Sequence, residues 1–256
     1  MTKLLALDLD NTLLKSDKSI SQYTSGVLKR CRDRGMKIVF ATARPLRTIT
    51  PYLSRTPCDA IIYHNGAHII ADGKRIGSAY TVPVETTRTI LGTLQAKYPG
   101  ERLSVEIDDV LYANFDVSSV WNYTSYILSD FSDLPETGAD KILIEADLKI
   151  KYEDITPLLT PDIYCQMSEG LIYLIMNKCS TKLNGLKTLA GHWGMSLEDA
   201  AAFGDDHNDV EMLRSCGLGV AVGNAIKKAK EAADAVADTN DNDGAAKYIE
   251  HYLLTD

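Results

Sequence analysis

The feature that most constrains the fold of this chain is a stretch near its start, Lys3-Leu4-Leu5-Ala6-Leu7-Asp8-Leu9-Asp10-Asn11-Thr12, an apolar run that ends in two acids and a turn. Such a run suits a strand buried on both faces, and Asn11-Thr12 supplies turn chemistry to end it. Asp8 and Asp10 therefore stand at its carboxyl end. Side chains alternate along a strand, so acids two apart project from one face wherever strand geometry persists. Two carboxylates at the mouth of an apolar strand repel each other, which calls for a metal, a shared proton, or both.

The chain beyond this strand alternates in the same style. Val27, Leu28 and Cys31 fall at helical spacing within residues 24–34 before Gly35 can stop the helix. Residues 36–41 read as a second strand, so a right-handed parallel crossover is expected, with Thr42-Ala43-Arg44-Pro45 at its carboxyl end. A helix to about residue 55 and a strand at 59–63, closed by His64-Asn65-Gly66, follow. Ligands bind outside the carboxyl ends of parallel strands, so the loops at Asp8, Thr42 and Asn65 are predicted to converge.

From Ala67 the grammar changes. A hairpin through Asp72-Gly73 with a second arm at 75–82, a helix at 84–98, a hairpin at 103–107 and 110–115, a helix at 117–129, strands at 141–146, 162–167 and 171–176, and a helix at 152–159 make a largely antiparallel section. Alternation then resumes: a helix after Thr181, strands at 200–203, 218–222 and 235–237, and helices at 209–216, 225–234 and 244–253. The expected fold is α/β, a Rossmann-like parallel-sheet core from residues 1–82 and 179–256, with an inserted α+β cap domain at 83–178.

Composition narrows the function. The chain has 35 acidic and 27 basic residues, a formal charge of -8, and its summed field repels nucleic acid and anionic lipid. No run resembles a signal peptide or a membrane span, so a cytoplasmic protein with no membrane partner is expected. Cys31, Cys58, Cys165, Cys179 and Cys216 are odd in number and form no CxxC pair, which reads as reduced, mostly buried thiols.

A second acidic cluster, Gly204-Asp205-Asp206-His207-Asn208-Asp209, again lies between an apolar strand and a helix. Two acid-bearing strand ends, one near each terminus, can assemble an oxygen-rich Mg²⁺ site, completed by a backbone carbonyl and a substrate phosphate. His207 reads as a hydrogen-bonding group beside these hard oxygens. Thr239-Asn240-Asp241-Asn242-Asp243-Gly244 lacks the spacing and terminal Glu of an EF-hand, and Cys58, His64 and His68 fit no zinc pattern. Trp121, Tyr123 and Tyr126 fall on the predicted helix of the insert, Trp121 as core.

Asp8-Leu9-Asp10-Asn11-Thr12, Thr42, Lys182 and Gly204-Asp205-Asp206-His207-Asn208-Asp209 resemble, in order and separation, the four motifs of the haloacid dehalogenase superfamily. The insertion between the second and third motifs, Asn65-Gly66-Ala67 and the Gly-Asp-Asp-x-Asn-Asp run resemble Cof-type phosphatases of its subclass IIB. The resemblance implies that Asp8 is a nucleophile forming an aspartyl-phosphate and that Asp10 is the acid/base, its backbone carbonyl on Mg²⁺. It implies Thr42, with Ala43, Arg44, Asn65, Gly66 and Asn208, as the phosphate- and substrate-binding set. Lys182 steadies nucleophile and phosphate, Asp205 joins Asp8 and Asp10 at the metal, and Asp206 and Asp209 support them. Three departures stand out: Asn11 and Ala43 replace the family's usual glycines, and Leu183 stands where a Gly commonly follows the lysine. Lys178 is the competing lysine. The implied function is a Mg²⁺-dependent phosphatase of small phosphorylated metabolites, sugar phosphates or phosphorylated cofactors, monomeric or weakly homo-oligomeric, with specificity in the cap. The alternatives are a phosphomutase or phosphotransferase using the same Asp pair, and a phosphometabolite-binding protein without turnover.

Overall fold

The computed structural model describes residues 2–119, 125–146, 149–168 and 170–254. The chain divides into two compact units, one formed by Met1–Ser78 with Thr181–Asp256 and the other by Ala79–Ser180.

The first unit begins with β1 (Leu4–Leu7), α1 (Gln22–Asp33), β2 (Lys37–Ala41), α2 (Leu46–Leu53), β3 (Ala60–Tyr63), β4 (His68–Ala71) and β5 (Lys74–Arg75). The second unit holds α3 (Val84–Lys97), β6 (Leu103–Ile107), β7 (Val110–Ala113), β8 (Ile127–Leu128), β9 (Lys141–Glu145), α4 (Tyr152–Ile155), β10 (Ile163–Ser168) and β11 (Ile172–Asn177). The first unit then resumes with α5 (Lys182–His192), β12 (Ala200–Gly204), α6 (Val210–Ser215), β13 (Leu218–Ala221), α7 (Lys227–Ala232), β14 (Ala235–Val236) and α8 (Gly244–Tyr248).

In the first unit one sheet runs in the order β14-β13-β12-β1-β2-β3-β4-β5, parallel from β14 to β3 and antiparallel beyond. Leu4, Leu5, Ala6 and Leu7 are all fully buried although they alternate between faces, so β1 is covered on both sides as a central parallel strand must be. Register decides where the chain ends meet. Leu7 lies opposite both Phe203 and Phe40, and Ala41 lies opposite Ile62, which brings the residues after β1, β2, β3 and β12 to one edge.

The second unit has its own sheet, β10-β11-β9-β6-β7-β8, antiparallel except for the β7–β8 pair. Ile90, Leu91 and Leu94 of α3 pack there with Leu103, Val105, Ile142 and Ile144 in a separate core. Among the described residues no helix is long and apolar enough to cross a membrane.

Three expectations are corrected. The arm predicted at 75–82 stops at Arg75, and Val82 instead bridges Ala139. The helix predicted at 117–129 is absent where the chain is described: Val117–Ser119 makes one 3-10 turn and Ile127–Leu128 is a strand beside β7, while Trp121 and Tyr123 lie outside the described residues. The Asp116 carboxylate accepts from the Ser118 amide at 3.0 Å and from the Tyr126 hydroxyl at 2.9 Å, local bonds that compete with helical ones. Last, the helix predicted at 152–159 tightens to a 3-10 turn at Thr156–Leu158, where Pro157 lacks a helix-propagating N–H.

Candidate active site

The site is built at the edge where the parallel strands end. The Asp8 amide donates to Phe203 O at 3.0 Å, so β1 delivers Asp8 still in register with β12. Strand geometry stops there. Leu9–Leu13 form a wide turn in which Asn11 takes φ 58°, a left-handed conformation that Asn tolerates better than most residues. The turn separates the two acids of the first motif, and each finds its own cation.

Asp8 is buried and accepts from Lys182 Nζ at 2.5 Å. Lys182 is the first residue of α5, 1% exposed, and donates also to Asp209 Oδ1 at 2.7 Å. Thr181 caps this helix, its side chain accepting from the Asn184 amide at 3.1 Å, which fixes the turn that carries the lysine. The other Asp209 oxygen accepts from the Asp205 and Asp206 amides at 3.0 and 3.1 Å, so both Asp209 oxygens are engaged by donors. Asp205 Oδ1 accepts from Thr12 Oγ1 at 2.8 Å. One oxygen from each of Asp8, Asp205 and Asp209 lies within 4.8 Å of the others.

Asp10 faces different partners. Arg44 clamps its carboxylate through Nε at 2.6 Å and Nη2 at 2.7 Å, and Lys18 Nζ adds a contact at 2.9 Å. The Arg44 guanidinium also sits 5.6 Å from the Tyr52 ring centre. The Arg44 amide donates to Thr42 Oγ1 at 3.1 Å, the Asn65 amide donates to Thr42 O at 2.9 Å, and Asn208 Nδ2 donates to Asn65 Oδ1 at 2.8 Å. Thr42 and Asn65 are buried, and Ala43 is exposed between Thr42 and Arg44.

The two acids of the first motif titrate in opposite directions. Burial pushes the Asp8 carboxyl well up, with the Lys182 charge pulling against it and Asp209 and Asp205 adding to the rise. Burial, then the Asp209 charge, push Asp205 up to about 6 against the Thr12 hydrogen bond. For Asp10 burial also raises, but the hydrogen bonds from Arg44 and Lys18 outweigh it and hold the carboxyl at about 2. Burial disfavours the Lys182 ammonium, yet the Asp209 and Asp8 charges win and raise it above the ordinary lysine range.

The structure thus brings together Asp8, Asp205, Asp209 and Lys182, sets Asp10 with Arg44, and ties Thr42, Asn65 and Asn208 into one strip. Lys178 is not part of it: its ammonium meets Pro161 O in the second unit. Asp206 and His207 are exposed. Sequence reasoning assigned Thr12 only a turn-ending role and Lys18 none. Thr12 stands two residues past Asp10 in the motif that was read, whereas nothing in the sequence marks Lys18.

A buried carboxylate bound by an ammonium, beside hard oxygens gathered from distant strand ends, is the equipment of an enzyme that cleaves phosphate esters. The chain belongs to the haloacid dehalogenase-like hydrolases, matching that family over residues 5–249, and it is a phosphoric monoester hydrolase. It is similar to the 5-amino-6-(5-phospho-D-ribitylamino)uracil phosphatase YitU of Bacillus subtilis, 28% identical across 98% of this chain and 97% of that one. A putative phosphatase of Haemophilus influenzae is 29% identical over 98% of each. Among solved structures, a haloacid dehalogenase-like hydrolase from Bacteroides thetaiotaomicron superposes with TM-score 0.83 at 27% identity, over 98% of this chain and 99% of that one. A sugar phosphatase of subclass IIB shares the fold, with TM-score 0.82 at 24% identity over 99% and 100% of the two chains.

Proposed function

We propose that this protein is a Mg²⁺-dependent phosphatase of small phosphorylated metabolites that works through an acyl phosphate on Asp8. The observation that carries the reading is Asp8 itself, buried at the end of β1 with Lys182 at 2.5 Å and two further carboxylates gathered around it. Three carboxylates and one ammonium leave two uncompensated negative charges, the charge of one divalent cation, and the donor set is oxygen only. The residues therefore fit Mg²⁺. Asp8, Asp205 and the Asp10 backbone carbonyl would hold it, with Asp209, whose oxygens already serve Lys182 and the Asp205 and Asp206 amides, in support. When bound, the ion neutralises charge on the transferring phosphoryl group.

Asp8 attacks phosphorus as the carboxylate while Lys182 aligns it. Thr42, Arg44 and Asn208 hold the phosphoryl oxygens. At rest Arg44 and Lys18 keep Asp10 ionised. A substrate phosphate takes over the Arg44 guanidinium, and Asp10, freed of that clamp, takes up a proton from solvent and delivers it to the departing ester oxygen. Water next attacks the phosphorus of the acyl phosphate, Asp10 takes its proton, and inorganic phosphate leaves with Asp8 restored. The second unit is assigned the selection among leaving groups. The YitU relative supports a substrate whose phosphate sits on a polyhydroxylated chain.

The test is phosphate release from p-nitrophenyl phosphate with and without Mg²⁺, for wild type and Asp8→Asn, followed by a panel of sugar and cofactor phosphates. Mg²⁺-dependent release abolished in Asp8→Asn is expected. A folded Asp8→Asn protein with undiminished turnover would overturn the mechanism.

A further inference from the structure

The corner at the end of β3 is the most strained backbone near the site. His64, Asn65 and Gly66 take φ values of 48°, 57° and 103° in succession, so two residues with side chains occupy the left-handed region side by side. Such conformations persist only where the surroundings over-determine them. Three surroundings do so here. The His64 amide donates to Arg44 O at 3.1 Å and the Asn65 amide to Thr42 O at 2.9 Å, which binds the corner to the loop after β2. The Asn65 side chain accepts from Asn208 Nδ2 at 2.8 Å, which binds it to the loop after β12. Gly66 lies against the residue that caps α5: a Cβ there would stand 2.1 Å from Thr181 O and 2.6 Å from its carbonyl carbon. Thr181 O is the acceptor of the first turn of that helix, from the Gly185 amide at 3.0 Å, and Lys182 follows it directly.

We infer that Asn65 and Gly66 are positioning residues that set the Thr42 loop, Asn208 and Lys182 relative to Asp8, and do not themselves bind substrate. The inference rests on the phosphatase reading above. Asn65 is already engaged through its amide, through its side-chain oxygen and through its conformation. Gly66 has no side chain to offer, and the close approach to Thr181 explains why none is tolerated. The corner thus touches the loops that carry Thr42 and Asn208 and the helix cap that precedes Lys182.

The test uses the whole chain with Mg²⁺ and p-nitrophenyl phosphate. Asn65→Gly allows the left-handed backbone and removes the side-chain bond to Asn208. A fall in kcat/KM on the order of tenfold is expected in the wild-type background, and less than twofold in Asn208→Ala. An equal fall in both backgrounds would make Asn65 an independent substrate contact and overturn the inference, as would no fall at all. Gly66→Ala is compared with Gly35→Ala, a left-handed glycine (φ 83°) whose Cβ would meet nothing within 4 Å. Both variants lose stability, but Gly66→Ala alone is expected to lose kcat, by on the order of a hundredfold, through the displaced Thr181 and Lys182. Equal kcat in the two would refute it. Asp8→Asn runs beside them: if it stays active the mechanism has failed, whereas a dead Asp8→Asn with an unaffected Asn65→Gly fails the positioning role alone.

Discussion

At the residue scale the site is organised by a shortage of positive charge. Lys182 is the sole described cation hydrogen-bonded within the Asp8, Asp205 and Asp209 cluster, and Asp205 rises to about 6 because burial and the Asp209 charge both favour its proton. The sign of the linkage follows. A carboxyl whose folded value exceeds its unfolded value near 3.8 binds protons more tightly in the folded state, so the metal-free protein loses stability as pH rises from about 4 through about 6. A divalent ion must displace that proton. Mg²⁺ affinity is therefore expected to fall about tenfold for each pH unit below 6, with proton release on binding. Calorimetric titrations at pH 5 and 7.5, in buffers of different ionisation enthalpy, count the protons; equal affinity and no release would contradict the charge deficit. Asp10, held at about 2 by Arg44 and Lys18 despite burial, behaves oppositely and stabilises the fold above the ordinary carboxylate range, losing that contribution only as pH falls toward 2.

At the scale of elements, two helix caps have different work. Ser21 caps α1 by accepting from the Thr24 amide at 2.9 Å, and its hydroxyl donates to Asp243 Oδ1 at 2.7 Å, far from Asp8 in connectivity. Thr181 caps α5 and is followed at once by Lys182. Removing either cap costs about 1 kcal/mol, or about 2–4 °C in melting temperature for a unit this size. Ser21→Ala and Thr181→Ala are expected to melt similarly lower, while only Thr181→Ala loses turnover; melting curves and kcat measured together decide it. The same elements show what was legible beforehand. Parallel strands buried on both faces are continuous apolar runs, so β1, β2, β3 and β12 were read within a residue or two, and with them the positions of Asp8, Thr42, Asn65 and Asp205. Less legible were features set by side chains that meet across the sequence. The Arg44 clamp on Asp10 and the Lys18 contact depend on the turn at Asn11, and the bond from Thr12 to Asp205 spans 193 positions. The helix expected at 117–129 was misread because Asp116, Ser118 and Tyr126 offer local hydrogen bonds that periodicity does not register.

On the scale of the whole molecule, the division into two units makes stability a property of two cores. Leu5, Phe40, Leu186 and Phe203 belong to one, while Ile90, Leu103, Ile144 and Ile175 belong to the other. The chain passes between them only twice, at Ser78–Ala79 and Ser180–Thr181. The gathered carboxylates all lie in the first unit, at the ends of β1 and β12. A ligand that binds only the folded first unit stabilises it by about 2.7 kcal/mol at a concentration a hundredfold above its dissociation constant, and by nothing for a unit it does not touch. Scanning calorimetry is therefore expected to resolve two transitions, of which Mg²⁺ moves one upward by about 5–10 °C and leaves the other in place. Asp205→Asn, which removes one ligand oxygen charge, should abolish that shift without merging the transitions. A single transition that Mg²⁺ moves as a whole would mean that the two cores unfold together, and that losing either one suffices to dismantle the site.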